Sequence, residues 1–337
     1  MKIDNIKIQD YSININDLKK KYSIENNLLN DIIPKLNKKA ICFDLLDSNE
    51  AFANGIRRVF NDELLVKCLY IDINNFNTND KYLLPDNIIE RINLIPLMQD
   101  INENNIFNIH IENNTNDIIK VYSRNIINKN KSDKILYFNP NILICTLRPN
   151  TYLYIKNITI NKNYGYIDNI YSLGSFSYKV INNDLSIPSL NNNLKDFNIE
   201  LITNNNIELD KLIIELYDNL YFRVKKIQNQ INNYDINSKS TDINKLTSEL
   251  FIINNNNIYE IHIFNEYHTL GNLITKYVFN LDNNIPLINY KLEHPLRHKI
   301  VINIKHSEYK KIISDSIDNI IKDLDLFKIT LLNYINK

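Results

Sequence analysis

Five histidines, His262, His268, His294, His298 and His306, fall in the last third of the chain, where their imidazoles could gather a metal ion. Zinc asks for three or four ligands in a tetrahedral array, commonly with cysteine or with carboxylates behind the imidazoles. No spacing here demands that array. His268 reads as a residue of a helix's first turn, and His294 stands before Pro295 just ahead of a strand. Cys42, Cys68 and Cys145 are isolated, with no CxxC pair, so the chain is expected to lack a disulfide framework and to sit in a reducing compartment. Gly55, Gly165, Gly174 and Gly271 are too scattered for a Walker A loop or a GxGxxG turn, and neither GxSxG nor HExxH occurs. The acidic run Asp315–Asp325 is expected on the polar face of a helix. No catalytic residue, metal site or cofactor is therefore expected. Recognition chemistry remains: Arg57 and Arg58 carry forks suited to carboxylates and backbone carbonyls. Asn54 and Asn272, mediocre helix formers, occupy matching places in two similar helices.

The elements that must position these residues follow from periodicity. Tyr259, Ile261 and Ile263 alternate with Glu260 and His262, the pattern of a strand. Leu270, Leu273, Ile274, Tyr277 and Val278 then recur at i, i+3, i+4, i+7 and i+8, one apolar stripe of a helix over His268–Phe279. A strand follows over Lys299–Ile304. The same plan occurs near the other end: strand Ala40–Leu46, helix Ser48–Phe60 with the stripe Phe52, Ile56, Val59 and Phe60, and strand Leu64–Ile73. Asp47 and Glu50 have the spacing of a capping box. Phe52-Ala53-Asn54 lies over Leu270-Gly271-Asn272, and both helices close on Val-Phe. Each half ends on a long amphipathic helix, Glu208–Ile231 and the helix carrying Tyr309, Ile313, Ile317, Ile320, Leu324, Phe327 and Leu331. The fold expected is mixed α+β, a pseudo-dimer of two strand-helix-strand units in one polypeptide. Its core would hold Phe52, Ile56, Val59, Leu216, Leu220, Leu273, Ile274, Tyr277, Ile320 and Leu324.

A chain of 337 residues has room for two or three domains. Lysine plus arginine equals aspartate plus glutamate at 39 each, so no global positive field exists to hold nucleic acid by its phosphates. The abundance of Asn, Ile, Lys and Tyr fits AT-rich coding. No run reaches the roughly 18 apolar residues of a membrane span, and MKIDNIKIQD has no apolar signal core. Residues 1–9 are expected to pair with Ala40–Leu46, around a polar insertion at 11–39 that includes a short helix, Ile24–Leu36. Further strands are expected over Phe107–Ile111, Ile118–Tyr122, Ile142–Leu147 and Tyr152–Ile160, and residues 232–247 read as a polar linker.

His268-Thr269-Leu270-Gly271-Asn272, followed by His294-Pro295 and KIVINI, resembles the eleventh subunit of eukaryotic RNA polymerase II and its archaeal L counterpart. The first half resembles the third subunit, the archaeal D subunit and the N-terminal domain of bacterial alpha. Its matching residues are Ala53-Asn54-Gly55-Ile56-Arg57-Arg58-Val59, Leu84-Pro85, Ile89-Glu90-Arg91-Ile92, Leu94-Ile95-Pro96-Leu97 and Val121-Tyr122-Ser123-Arg124. The resemblance divides the chain into a third-subunit-like dimerisation domain (1–73 and 148–231), a mainly β inserted domain (74–147), the linker, and an eleventh-subunit-like dimerisation domain (248–337). It departs from the family in the insertion at 11–39 and in lacking the cysteines of the metal site that some relatives carry in the inserted domain. In the loop Asn161–Tyr178 little of the family pattern is kept beyond Gly165 and a Ser/aromatic end.

What the resemblance implies is a non-catalytic assembly-platform subunit of a multisubunit DNA-directed RNA polymerase. Asn54, Arg57, Arg58, His268, Leu270, Gly271 and Asn272 would form its subunit interface. Its partners would be the largest and second-largest subunits and small polymerase subunits. DNA would be reached only through the complex, with no membrane contact, and the internal pseudo-dimer would require no homodimer. Alternatives of other classes are a detachable transcription or assembly factor using the same fold, and an enzyme with an unrecognised site in Asn74–Asn141. Fused subunits and AT-rich coding resemble large nucleocytoplasmic DNA viruses, which implies a cytoplasmic viral factory and packaging in virions.

Overall fold

The computed structural model describes residues 1–12, 37–129, 137–164, 172–181, 194–203, 207–234, 249–294 and 297–336. The helix expected at Ile24–Leu36 lies outside these residues, as does the linker from 235 on. β1 (Lys2–Ser12) pairs antiparallel with β2 (Asn37–Asn49), Ile3 opposite Leu45 and Gln9 opposite Ala40. Alternation along β2 buries Ile41, Phe43 and Leu45 and leaves Cys42 and Asp44 half-buried on the other face.

The helix that follows, α1 (Glu50–Arg58), starts later than the Ser48 expected, and its cap is Asn49, whose Oδ1 accepts the Ala51 N–H at 2.9 Å. Asp47 does not cap. It stands in the strand at a φ of 48°, and its N–H donates to Asp196 Oδ1 at 2.9 Å. Ser48 and Asn49 still pair with Lys195 and Leu194 of a neighbouring strand, so sheet pairing wins over the capping-box spacing. After Arg58 the helix widens into a π turn, Val59–Glu63, which keeps Val59 and Phe60 buried and turns Glu63 inward. β3 (Leu65–Tyr70) is shorter than the strand expected, ended by a 3₁₀ turn over Ile73–Asn75 that Asp72 caps.

The middle of the chain builds a core of its own. It contains β4 (Phe76–Thr78), α2 (Pro85–Asn93), β5 (Phe107–Asn113), β6 (Ile119–Tyr122), β7 (Ile127–Asn128), β8 (Leu143–Leu147) and β9 (Thr151–Tyr164). β9 pairs with β4 and β5 through its first part and with β3 through its last, Leu65 opposite Tyr164. Ile88 and Ile92 of α2 are buried with Phe107, Val121, Leu147 and Ile155 in this second cluster.

β10 (Gly174–Val180) and β11 (Leu194–Thr203) complete a four-stranded sheet in the order β1-β2-β11-β10, and α3 (Leu209–Asn233) follows. The last part contains β12 (Leu250–Asn255), β13 (Ile258–Phe264), α4 (His268–Leu281), β14 (Ile288–His294), β15 (Arg297–Ile304) and α5 (Tyr309–Ile335). Its sheet also has four strands, in the order β12-β13-β15-β14. β12 and β14 are absent from the sequence reading. In β14 half-buried Ile288, Tyr290 and Leu292 alternate with exposed Asn289 and Lys291, a strand pattern too polar to stand out.

One continuous core joins the two sheets through α1, α3, α4 and α5. α1 lies against α4, and α3 against α5. Phe327 of α5 meets Phe43 and Phe52 of the first half edge-on, with centroids 5.9 and 6.5 Å apart. Burying such a ring contributes about 1.5–3 kcal/mol, so the last helix is tied to the first sheet. Phe52, Ile56, Val59, Leu216, Leu220, Leu273, Ile274, Tyr277, Ile320 and Leu324 are all buried in this core.

Candidate functional site at the crossing of two short helices

α1 and α4 pack against each other, and a Cβ on Gly55 would stand at an ordinary contact distance, 3.8 Å, from Leu273 Cδ1. On one side of this crossing the end of α1 meets the start of α4, and an ionic cluster fills the junction. Arg223 of α3 donates to Glu63 Oε2 from Nη1 at 2.6 Å, and to Glu266 in two-pronged fashion, Nη2 to Oε2 at 2.6 Å and Nε to Oε1 at 3.2 Å. Arg223 Nη1 also donates to Asn219 Oδ1 at 3.0 Å. Thr269 Oγ1 donates to Glu63 Oε1 and accepts from Arg58 Nε at 3.0 Å. Arg58 Nε itself lies 3.9 Å from Glu63 Oε1. Burial opposes charge on Arg223, but the carboxylates of Glu266 and Glu63 outweigh it and raise the guanidinium pKa. Burial pushes the Glu266 carboxyl up, against the pull of Arg223. Two arginines and two carboxylates sum to neutrality, as a buried cluster requires.

On the other side the start of α1 faces the later turns of α4 across a cleft of about 270 Å³, lined by Glu50, Asn54, Lys195, Asn272, Lys276 and Asn280. Lys195 Nζ donates to Glu50 Oε2 at 3.0 Å. Lys276 is exposed and has no polar partner among the described residues. Asn49 also lines the cleft, and its Nδ2, like Ser48 Oγ, is buried without a hydrogen-bond partner.

Asn54 and Asn272 thus share one cleft. Asn54 Oδ1 accepts from Arg57 Nε at 3.0 Å and Nη2 at 2.9 Å, which aligns Arg57 along its own helix. Arg58 instead turns inward to the cluster. Leu270 is fully buried. Gly271 lies under Tyr290: a Cβ there would be 2.4 Å from the ring's Cδ2, so any larger residue would have to displace that ring. His268 is exposed and meets Tyr290 edge-on at 5.9 Å.

Sequence reasoning missed Glu63, Arg223, Glu266 and Thr269. Arg223 carried a signal, since it falls three residues after Leu220 and four before Ile227, inside the apolar stripe of α3. The acidic run of α5 is more than a polar face. Asp318, Asp323 and Asp325 accept from Gln228 Nε2 at 2.8 Å, Tyr277 OH at 2.6 Å and Tyr217 OH at 2.6 Å, which ties α5 to α3 and α4. Burial and then the Asp323 charge push the Tyr277 phenol well above its usual value. Among the described residues no group of His, Cys, Asp and Glu is arranged to hold a metal ion, and no helix is long and apolar enough to cross a membrane.

Residues 259–330, from β13 through most of α5, match the family model described as the RNA polymerase Rpb3/Rpb11 dimerisation domain. The last part of the chain carries that dimerisation domain. Curated relatives point the same way. A "DNA-directed RNA polymerase RPB3-11 homolog" of African swine fever virus, Kenyan isolate, is 30% identical over 130 residues, 37% of this chain and 36% of that protein. The homolog of the Namibian warthog isolate is 31% identical over the same length. The match therefore spans little more than a third of those relatives. It bears out the resemblance to a fused third-plus-eleventh polymerase subunit of the large nucleocytoplasmic DNA viruses, and the dimerisation domain contributes α4, Thr269 and Lys276 to the crossing.

Proposed function

We propose that the chain is a non-catalytic assembly platform of a multisubunit DNA-directed RNA polymerase, its two similar halves forming a pseudo-dimer within one polypeptide. The observation that carries this reading is that the dimerisation-domain match falls on the elements whose side chains share a core with the first half. Domain boundaries follow the sequence, with 74–147 as the inserted domain; a separate middle core supports a domain there, and it also takes in Leu69, Ile71, Leu153, Ile155, Ile158 and Ile160 from the flanking strands. The exposed face of the helix crossing docks the two largest subunits. Asn54 and Arg57 belong to that face, whereas Arg58 serves the cluster that joins the halves.

The test is purification of the tagged chain from its native setting at about 0.5 M salt, where charge contacts are screened within a few ångströms. Two large polymerase subunits at equal stoichiometry are expected, and recovery of the chain alone would refute the platform role. Arg57→Glu should leave the isolated chain folded, because among the described residues that side chain hydrogen-bonds within its own helix turn alone, while lowering recovery of the second-largest subunit. Unchanged recovery would remove Arg57 from the interface.

A further inference from the structure

The two sides of the helix crossing are built from matching positions but are unequally finished. In the alignment of Asn54 with Asn272, Arg58 corresponds to Lys276, Thr269 to Ala51, and Glu266 to Ser48. On the finished side the cation Arg58 meets a hydroxyl and a carboxylate, with Arg223 and Glu266 completing the charge balance. On the open side the cation Lys276 meets no carboxylate among the described residues. The small residues Ala51 and Ser48 take the places of Thr269 and Glu266, a cleft stands open, and Ser48 Oγ and Asn49 Nδ2 are buried without partners. Glu50 is already paired with Lys195, so the charged residues lining the cleft sum to one positive charge.

We propose that this cleft receives an acidic side chain from another protein, which stands beside Lys276 as Glu63 stands beside Arg58. Charge complementarity selects the occupant. The free lysine favours a carboxylate, and the amides of Asn272 and Asn280 offer donors to its oxygens while a second cation would be repelled. The start of α1 adds its positive dipole end on the same side. A cleft of about 270 Å³ accommodates one side chain and its flanking backbone but not a folded element. The inference rests on the polymerase reading only for the partner's identity, a segment of one of the two large subunits.

The experiment uses the full-length chain in the purified complex. A carbodiimide, which joins an amine to a touching carboxylate without a spacer, is applied, and the products are mapped by mass spectrometry. Lys276 is expected to be joined to an aspartate or glutamate of a large subunit. Lys276→Arg should retain the large subunits. Lys276→Glu should fold normally, its side chain being exposed and unpartnered, yet recover them about tenfold less well or worse at about 0.5 M salt. Equal recovery with Lys276→Glu, or cross-links that join Lys276 only to its own chain, would overturn the proposal. If the unaltered chain brings down no large subunit, the polymerase reading fails instead. An acidic cross-link partner on some other protein would then keep the cleft's chemistry and change its owner.

Discussion

At the scale of single residues, Arg223 has the largest consequence. Its guanidinium holds two carboxylates from opposite halves of the chain, so Arg223→Met leaves Glu63 and Glu266 buried together with only Arg58, 3.9 Å from Glu63, to balance them. Breaking a buried pair in this way costs about 3–5 kcal/mol, readable as a lower midpoint in denaturant unfolding. Adding Glu63→Gln and Glu266→Gln to the same variant should recover most of the loss, because the two buried carboxylates are then neutral and the remaining charge, Arg58, has a side chain that reaches solvent. His262 makes a second, pH-dependent prediction. It is buried against the Phe251 ring, centroids 4.2 Å apart, with neither ring nitrogen hydrogen-bonded. Burial, and then Lys299, hold its imidazole below its ordinary 6.5, with Glu260 3.6 Å away pulling the other way. The unfolded chain therefore takes up the proton more readily than the folded one. The stability this provides is complete above about pH 6.5 and is lost as the pH falls through the lowered folded value, by at most about 1.4 kcal/mol per pH unit. Unfolding curves collected from about pH 7.5 down to 5 should show that slope, and His262→Phe should flatten it.

Among the elements, α4 is where sequence and structure agree most closely, because a stripe at helical spacing leaves one solution. Leu273, Ile274, Tyr277 and Val278 are all buried. Leu273→Asp places an unpaired carboxylate against Gly55 at the helix crossing, with an expected loss of several kcal/mol, checked by loss of compactness on gel filtration. A variant as compact as the parent would show that α1 and α4 do not need that contact. Elements set by long-range contacts leave no such local pattern. The start of α1 depended on Asp47, whose N–H is taken by Asp196, 149 residues away in sequence, and no local pattern encodes that competition. β14 was hidden because its outward positions are Asn and Lys, as befits an edge strand. Arg223 was visible as a charge inside an apolar stripe, but its partners Glu63 and Glu266 come from a π turn and a loop that only the tertiary fold brings together.

For the whole molecule, the continuity of the core across both halves sets how the chain should respond to being cut. α3 packs on α5, α1 on α4, and Phe327 reaches Phe43 and Phe52, so the two halves should hold together without the segment that joins them. A linker there, as the sequence suggests for 232–247, would supply an effective concentration on the order of millimolar for the second half near the first. A protease site placed there and cut turns an intramolecular fold into a bimolecular one. At about 10 µM protein the cut chain should be about 2.7 kcal/mol less stable than the intact one, and each tenfold dilution should remove about 1.4 kcal/mol more. Gel filtration should still find both fragments in one peak, and their melting temperature should depend on concentration where that of the intact chain does not. Fragments that elute apart at that concentration would mean that the shared core is too weak to define a single platform. Joint elution with a melting temperature independent of concentration would mean that each half folds alone and that the ionic cluster merely decorates their contact.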